Sequence, residues 1–466
     1  MNIHAPLTKK NWQDVKVLIL GLGQYPQGSG ISAAKAFAKI GAKVTVTDQK
    51  TEKDLEENVK TLKGFKNVRF VLGRHELKDV DDADLIVANP RVRPTSVEMK
   101  RARARGVPVV SDISLFLDRC PAKVIGVTGT RGKSTTVTLI AEMLKASKKK
   151  VWLGGNILVS PLNFLSKIKK DDIVVLELSS WQCESLGMTV HPPQIALMTN
   201  LMRDHLNTYD GMDDYAEAKA QIFRHQKPED ILILNGDDAW TKIWKKEAPS
   251  QVLTFGKGKR FDAGRVGDSL VLDGKAVCTV KDLKIFGEHN ILNALGAMLV
   301  AKQGGATVAG IKKALKSFTG LPNRQEIVRS FKGVDYINDT TATTPDGTIA
   351  AIRALKDRYG YLWMICGGED KELEYSELAK ELVKQKKKVA VFLLPGSSSE
   401  KLMKLLSKKS VLIERVPDLK TAVLRAHEKA VEGDAIVLSP GATSFGQFKN
   451  EFDRGEQFVS LVRRLK

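Results

Sequence analysis

The chain has 466 residues, 42% of them hydrophobic, with 74 Lys and Arg against 54 Asp and Glu and a formal net charge of +20. That length exceeds a single core and predicts roughly two to four domains. No apolar run reaches the roughly 18 residues of a membrane-spanning helix, and the opening "MNIHAPLTKKNWQDVKVLIL" lacks the order of charge and apolar core that marks a signal peptide. Cys120, Cys183, Cys278 and Cys366 form no C-x-x-C pair, which argues against a disulfide framework or a zinc site and predicts a reducing, cytoplasmic setting. A basic balance admits nucleic acid, a membrane surface or anionic small substrates. The lysines are spread, the clusters at 148–150 and 384–389 read as helix ends and solvated faces, and no stretch interleaves aromatic with basic residues as a single-strand platform does. Neither nucleic acid nor a membrane is expected as a partner.

In chain order, short apolar strands alternate with helical stretches, the pattern of parallel α/β sheets. The first block opens with strand "VKVLILGLG" and helix "GISAAKAFAKIGA", then "KVTVTD", "ADLIVANP" and "VPVVSD". The second starts near residue 123 with "KVIGVTG" and continues through "DDIVVLELSS", "QIALMTN" and "DILILNGDD". Over 251–284, "QVLTFG", "SLVLDGKAVCTV" and "DLKIFG" alternate and carry turn dipeptides, which predicts a small antiparallel piece. The third block carries "VDYINDT", "GYLWMICGG", "KVAVFLLPG", "KSVLIERV" and "DAIVLSPG". The expected fold is α/β in three domains: a Rossmann-like domain over 1–112, a central P-loop domain with a parallel sheet over 113–320, and a Rossmann-like C-terminal domain over 321–466.

The stretch "IGVTGTRGKSTTVTLI" carries the chemistry. It ends as a phosphate loop ends, with Gly132, Lys133 and Ser134, but Val127 stands where the common G-x-x-x-x-G-K-[ST] pattern has its first glycine. Glycines at 126, 129 and 132 still let backbone N–H groups close on phosphate, and the helix that follows adds its positive end. Lys133 can reach the outer phosphates and Ser134 can ligate Mg²⁺. Gly129, Thr130, Arg131 and Thr135 complete the loop. Glu177 ends "DDIVVLE" and His205 follows "IALMTN", both at the carboxyl edge of a parallel sheet, where ligands bind. Each alone is weak; together beside a phosphate loop they are stronger. In "DDYAEAKAQIF", Lys219 shares a helical face with Tyr215, Ile222 and Phe223. Either it snorkels to solvent or it is an amine desolvated enough to react or to pair with a substrate charge. The loop "GLGQYPQGSG" after the first strand, with Asp48 ending the next, is a weak dinucleotide fingerprint with misplaced glycines.

These residues resemble the Mur ligases, the ATP-dependent amide ligases of peptidoglycan synthesis. "GVTGTRGKSTT" is similar to that family's G-x-x-G-x-x-G-K-[ST] loop, and "GGNI", "ELSSWQCE", "DHLNTY", "YAEAKAQIF", "GEHNILNALGA", "GLPNRQE", "INDTTATTP", "GGEDK" and "LSPGATSFGQFKNEFDRG" have counterparts in order. The last of these, with the short first block, resembles the D-glutamate-adding branch. The resemblance implies ATP and two Mg²⁺ ions as cofactors, and UDP-N-acetylmuramoyl-L-alanine and glutamate as substrates. It also implies a set of roles. Lys133 and Ser134 hold phosphates and one Mg²⁺, with Glu177 completing that site. His205 ligates the second, and Lys219 becomes a carbamate that helps position it. Asn290, Asn293, Arg324 and Asp339 hold the rest of ATP. Leu22, Gly23, Gln24, Asp48, Asn89 and Pro90 hold the UDP moiety, although that loop can equally be a turn closing a strand onto a helix. Asn156, Ser179 and Gln182 line the muramoyl-alanine end. Thr341, Lys371, Ser444, Phe445 and Phe452 form the glutamate pocket.

The chain departs from the family pattern where Thr341 replaces a lysine, Asn323 a histidine and Leu158 a glycine, and where the first-domain loop is longer. The first of these leaves the choice of amino acid, including its handedness, open. The implied reaction phosphorylates the alanyl carboxylate, and the glutamate amine then displaces phosphate; no Ser-His-Asp or Cys-His arrangement is evident. Water exclusion implies a swing of the third domain through a hinge near 320–323, and the protein is expected to act as a monomer. The rivals are another Mur-type or folylpolyglutamate-type ligase, a nucleic-acid-stimulated P-loop ATPase, and an inactive scaffold.

Overall fold

A computed structural model describes residues 4–5, 7–157, 159–189, 191–205, 208–407 and 409–465; Leu158 and residues 206–207 of "DHLNTY" lie outside them. The fold is α/β, built on three sheets. The first comprises β1 (Lys16–Leu20), β2 (Lys43–Asp48), β3 (Val68–Leu72), β4 (Leu85–Ala88) and β5 (Val109–Val110). All its pairings are parallel, in the order β3-β2-β1-β4-β5. Strand order reverses between β1 and β4, so a crevice opens at their carboxyl ends. β3 was not marked in the sequence, because its short apolar run is interrupted by Arg69.

The second sheet contains β6 (Lys123–Thr128), β7 (Val151–Gly155), β8 (Ile173–Glu177), β9 (Ile195–Met198), β10 (Ile231–Asn235), β11 (Gln251–Lys257), β12 (Ala263–Val266), β13 (Ser269–Leu272) and β14 (Lys275–Thr279). Its order is β14-β13-β12-β11-β10-β9-β6-β8-β7. β6 therefore lies between β8 and β9, parallel to both. The antiparallel piece is smaller than expected. β11 pairs parallel with β10 and β12 parallel with β11; only β12, β13 and β14 run antiparallel. Alternation in "QVLTFG" reflects a strand only partly covered, not a change of direction. "DLKIFG" forms no strand; a 3₁₀ turn over Val280–Asp282 ends on its first residue.

The third sheet holds β15 (Glu326–Phe331), β16 (Val334–Asn338), β17 (Leu362–Gly367), β18 (Val389–Leu394), β19 (Leu412–Arg415) and β20 (Ala435–Leu438), in the order β15-β16-β20-β17-β18-β19. Only β15 runs antiparallel to its neighbour. Successive residues of these strands enter opposite faces. Met364, Val391 and Val437 join one buried cluster, while Ile365, Phe392 and Ile436 join the other. A sheet buried on both faces has no polar side, which is why its strands read as unbroken apolar runs.

The chain divides into two compact units, residues 1–282 with 292–316, and residues 283–291 with 317–466. In the first, one apolar cluster runs from Trp12 and Phe37 through Phe116 and Phe164 to Ile222 and Trp244, joining the first two sheets. Among the described residues, no helix is long and apolar enough to cross a membrane.

Candidate active site

The phosphate loop leaves β6 and enters the helix Lys133–Ala146. Two of its glycines are obligatory. Gly129 has φ of 142°, and a Cβ there would lie 1.9 Å from Thr199 Oγ1; Gly132 has φ of 82°, and a Cβ there would lie 2.1 Å from Asn293 Oδ1. Any larger residue would push the backbone out of the cradle. Gly132 is also the N-cap and brings no side chain to the first-turn N–H groups, leaving the helix dipole open to an anion. Thr130, nearly buried, accepts the Met202 N–H at 3.0 Å. The Lys133 ammonium folds back to donate to the carbonyls of Gly129 and Thr130, both at 3.0 Å. Ser134 and Thr135 follow in the first turn, half-buried.

The neighbouring strand ends bring the other groups in. Glu177, 2% exposed, ends β8 and accepts a hydrogen bond from Asn156 Nδ2 at 2.8 Å on Oε1. Its Oε2 is buried without a partner among the described residues. That orphaned carboxylate oxygen beside a phosphate cradle fits a cation. His205 follows β9 with φ of 55°, its ring centroid 4.9 Å from Trp181 and 5.9 Å from Tyr215. Burial holds its imidazole below the usual histidine range, which favours the neutral, metal-ligating form.

Lys219 does not snorkel. It is 1% exposed, donates to Gly129 O at 2.9 Å and lies 4.6 Å from the Tyr215 ring. Burial first, then the nearby Lys133 charge, pulls its amine down to about 7. Two lysines thus converge on one loop carbonyl. Among the described residues no three His, Cys, Asp or Glu side chains gather as a metal site. A divalent ion here would draw on Glu177, His205, the Ser134 hydroxyl and oxygens brought by ligands.

At the first sheet, the segment after β1 is fixed by Asp48. Its Oδ2 accepts the Gly23 N–H at 3.1 Å and its Oδ1 the Lys50 N–H at 2.9 Å. Asn89, after β4, packs on Gly21, and its Oδ1 accepts the Arg91 N–H at 3.1 Å. Gly23 therefore lies beside Asn89 where strand order reverses, a Cβ there falling 3.3 Å from Asn89 Nδ2. Gly30 lets the following helix approach, since a Cβ there would lie 2.2 Å from Gly21 O. Ser179 and Gln182 form a reciprocal capping box, Ser179 N to Gln182 Oε1 at 3.0 Å and Gln182 N to Ser179 Oγ at 3.2 Å.

Asn293 stands beside the loop in the first unit, whereas Asn290, Arg324, Asp339, Thr341, Lys371, Ser444, Phe445 and Phe452 belong to the second. In that unit β20 lies between β16 and β17; Asp339 directly follows β16, while Ser444 and Lys371 lie on the segments after β20 and β17. Asn290 Nδ2 donates to Phe286 O at 2.8 Å. Asp339 accepts from Ser439 Oγ at 2.9 Å and from the Gln325 N–H at 3.2 Å; burial pushes it up to about 7. Thr341 Oγ1 donates to Asn323 O at 2.8 Å. Ser444 is buried, Lys371 exposed, and Phe445 and Phe452 are 64% and 37% exposed.

Three family models match in succession: the Mur ligase MurD-like N-terminal domain over 15–111, the Mur ligase middle domain over 127–301, and the Mur ligase glutamate ligase domain over 323–442. The UDP-N-acetylmuramoylalanine–D-glutamate ligase of Roseiflexus sp. (strain RS-1) is 37% identical, with 96% of this chain and 98% of that protein covered. The protein of the same name from Clostridium novyi (strain NT) is 34% identical, with 97% of each covered. This chain belongs to the Mur ligase family. The crystal structure of UDP-N-acetylmuramate-alanine ligase MurC from Thermotoga maritima shares the fold, with a TM-score of 0.63 at 21% identity over 97% of this chain and 100% of that one.

Several residues of this Mur ligase escaped the sequence reading. Thr199 and Asn200, just after β9, clamp the phosphate loop: Thr199 Oγ1 donates to Arg131 O at 2.7 Å, and Asn200 Oδ1 accepts the Arg131 N–H at 3.0 Å. Their signal was position alone, a polar pair ending a strand. Arg454, wholly buried, donates to Thr340 Oγ1 at 3.0 Å, Thr340 O at 2.9 Å and Ala442 O at 3.3 Å, tying together the segments after β16 and β20. Asn323, where histidine is usual, has φ of 65°, a conformation asparagine tolerates well.

Proposed function

We propose that this chain is an ADP-forming ligase that joins D-glutamate to UDP-N-acetylmuramoyl-L-alanine through an acyl phosphate, in the cytoplasm. The observation that carries the reading is the phosphate loop, with Lys133 and Lys219 converging on Gly129 O between the strand ends bearing Glu177 and His205. The relatives named as D-glutamate ligases supply the substrates. The crevice between β1 and β4 takes the UDP moiety. Asn156, already oriented by Glu177, meets the muramoyl-alanine end.

Phosphoryl transfer asks a protein for alignment and charge neutralisation. Lys133 turns from the loop carbonyls to the outer phosphates. Ser134 and Glu177 would hold one Mg²⁺ and His205 with carbamylated Lys219 a second, and the ions would neutralise phosphate charge. Lys219 suits this role because an amine titrating near 7 is partly neutral at physiological pH. It attacks CO₂ through its nitrogen lone pair and releases one proton, leaving a carbamate anion. The orphaned Oε2 of Glu177 supports the first metal position. Asn293, Asn290, Arg324 and Asp339 bind the nucleoside and phosphates, while Thr341, Lys371, Ser444, Phe445 and Phe452 receive glutamate. In the second unit, Ser439 and Gln325 fix the Asp339 carboxylate.

The test is ADP release from ATP with UDP-N-acetylmuramoyl-L-alanine, with D-glutamate, L-glutamate or no amino acid. Release that requires D-glutamate supports the reading. Preference for L-glutamate overturns the handedness, and release independent of the acceptor overturns the reaction.

A further inference from the structure

Arg131 sits in the phosphate loop between Thr130 and Gly132. Its backbone is held from both sides, the N–H by Asn200 Oδ1 at 3.0 Å and the carbonyl by Thr199 Oγ1 at 2.7 Å and Asn200 Nδ2 at 3.1 Å. With the backbone fixed, only the side-chain torsions are left to move. The guanidinium is 45% exposed and lies 3.7 Å from Asp204 Oδ2. Asp204 in turn accepts the His205 N–H on Oδ1 at 2.9 Å, so the guanidinium stands between the loop and the His205 turn.

Lys133 and Lys219 already converge on Gly129 O, two residues before Arg131. Arg131 is therefore the third basic residue at one loop, and the Asp204 carboxylate, 26% exposed, stands opposite its guanidinium. An ion pair of that exposure holds weakly against a competing anion. A terminal phosphate presents several oxygens in the geometry that a guanidinium fork matches.

We propose that Arg131 is a further catalytic residue of the reaction proposed above, an arginine supplied in cis by the phosphate loop that exchanges Asp204 for the terminal phosphoryl group of ATP. Its planar donors follow that group from ADP to the acceptor carboxylate, and no bond to Arg131 forms or breaks. Asp204 holds the guanidinium aside before ATP arrives and keeps its other oxygen on the His205 N–H. The role belongs to the side chain; loop membership accounts only for the backbone.

The test uses full-length Arg131→Ala and Arg131→Lys in two assays. In turnover with ATP, UDP-N-acetylmuramoyl-L-alanine and D-glutamate, Arg131→Ala lowers kcat by on the order of 10²-fold or more, while Arg131→Lys recovers part of it. In calorimetry, Arg131→Ala binds ADP as the wild type does but loses affinity for ADP with aluminium fluoride, a mimic of the phosphoryl group in transfer. Unchanged affinity for that mimic, or a parallel loss of ADP affinity that marks a damaged loop, overturns the assignment. A wild type inactive with these substrates overturns the proposed reaction instead, and the calorimetric comparison still decides Arg131 by itself.

Discussion

In the first unit the groups around the phosphate loop face inward; in the second, buried and exposed candidate groups are mixed. Lys133 and Lys219 bend onto a loop carbonyl, Glu177 is buried, and glycines stand where any side chain would collide. In the second, Lys371 and Phe445 stand in solvent, while burial is kept for Asp339, Ser444 and the arginine beneath them. The difference follows from what each region is proposed to bind. A triphosphate is the same in every turnover, so its cradle can be built rigidly before it arrives. An amino acid is chosen by contacts, and exposed side chains on a fixed floor can be exchanged without disturbing the fold.

Substitutions can break that comparison. Lys133→Ala should give the largest effect, lowering kcat for ADP formation by roughly 10³-fold or more in a coupled assay. Lys219→Ala should lower it by roughly 10²-fold to 10³-fold without unfolding the chain. The pH dependence sharpens this. The Lys219 amine titrates near 7 in the folded chain against 10.5 for an ordinary lysine, so the unfolded chain binds the extra proton between those values. This group's contribution to stability therefore rises with pH over that window. The neutral amine also accumulates through pH 7, so a carbamate signal from ¹³C-bicarbonate in NMR should grow from pH 6 to pH 8 and vanish in Lys219→Ala. A pH-independent signal would contradict the assignment.

Effects in the second unit should fall on stability before catalysis. Arg454→Ala leaves Thr340 O and Ala442 O without their donors and a cavity below, costing about 3 kcal/mol in urea unfolding. Asn200→Ala, back in the first unit, frees the Arg131 N–H and leaves its carbonyl to Thr199, and should raise KM for ATP about tenfold. Phe445→Ala is the smallest: stability should hold within about 0.5 kcal/mol, while KM for glutamate rises. If Phe445→Ala instead lowered stability as much as Arg454→Ala, the contrast between the regions would be lost.

Legibility in the sequence followed the range of each interaction. The phosphate loop was readable because strand, glycines, Lys133 and helix are contiguous. Helical spacing put Lys219 on a face with Tyr215 and Phe223 but left open whether it snorkels, which only its burial in the fold decides. The clamp of Asn200 on Arg131 joins residues 69 apart, and Arg454 reaches Thr340 across 114. No local pattern encodes those pairs; they exist only once β6 lies beside β9 and β16 beside β20. The antiparallel extent was misread for a related reason, since alternation reports how a strand is covered and not its direction.

The most direct test follows the oxygen. UDP-N-acetylmuramoyl-L-alanine labelled with ¹⁸O in its alanyl carboxylate is turned over with ATP and D-glutamate, and the released phosphate is analysed by mass. One ¹⁸O in the phosphate, lost with Lys133→Ala, is the predicted result. Unlabelled phosphate accompanying amide formation would contradict phosphorylation of the carboxylate.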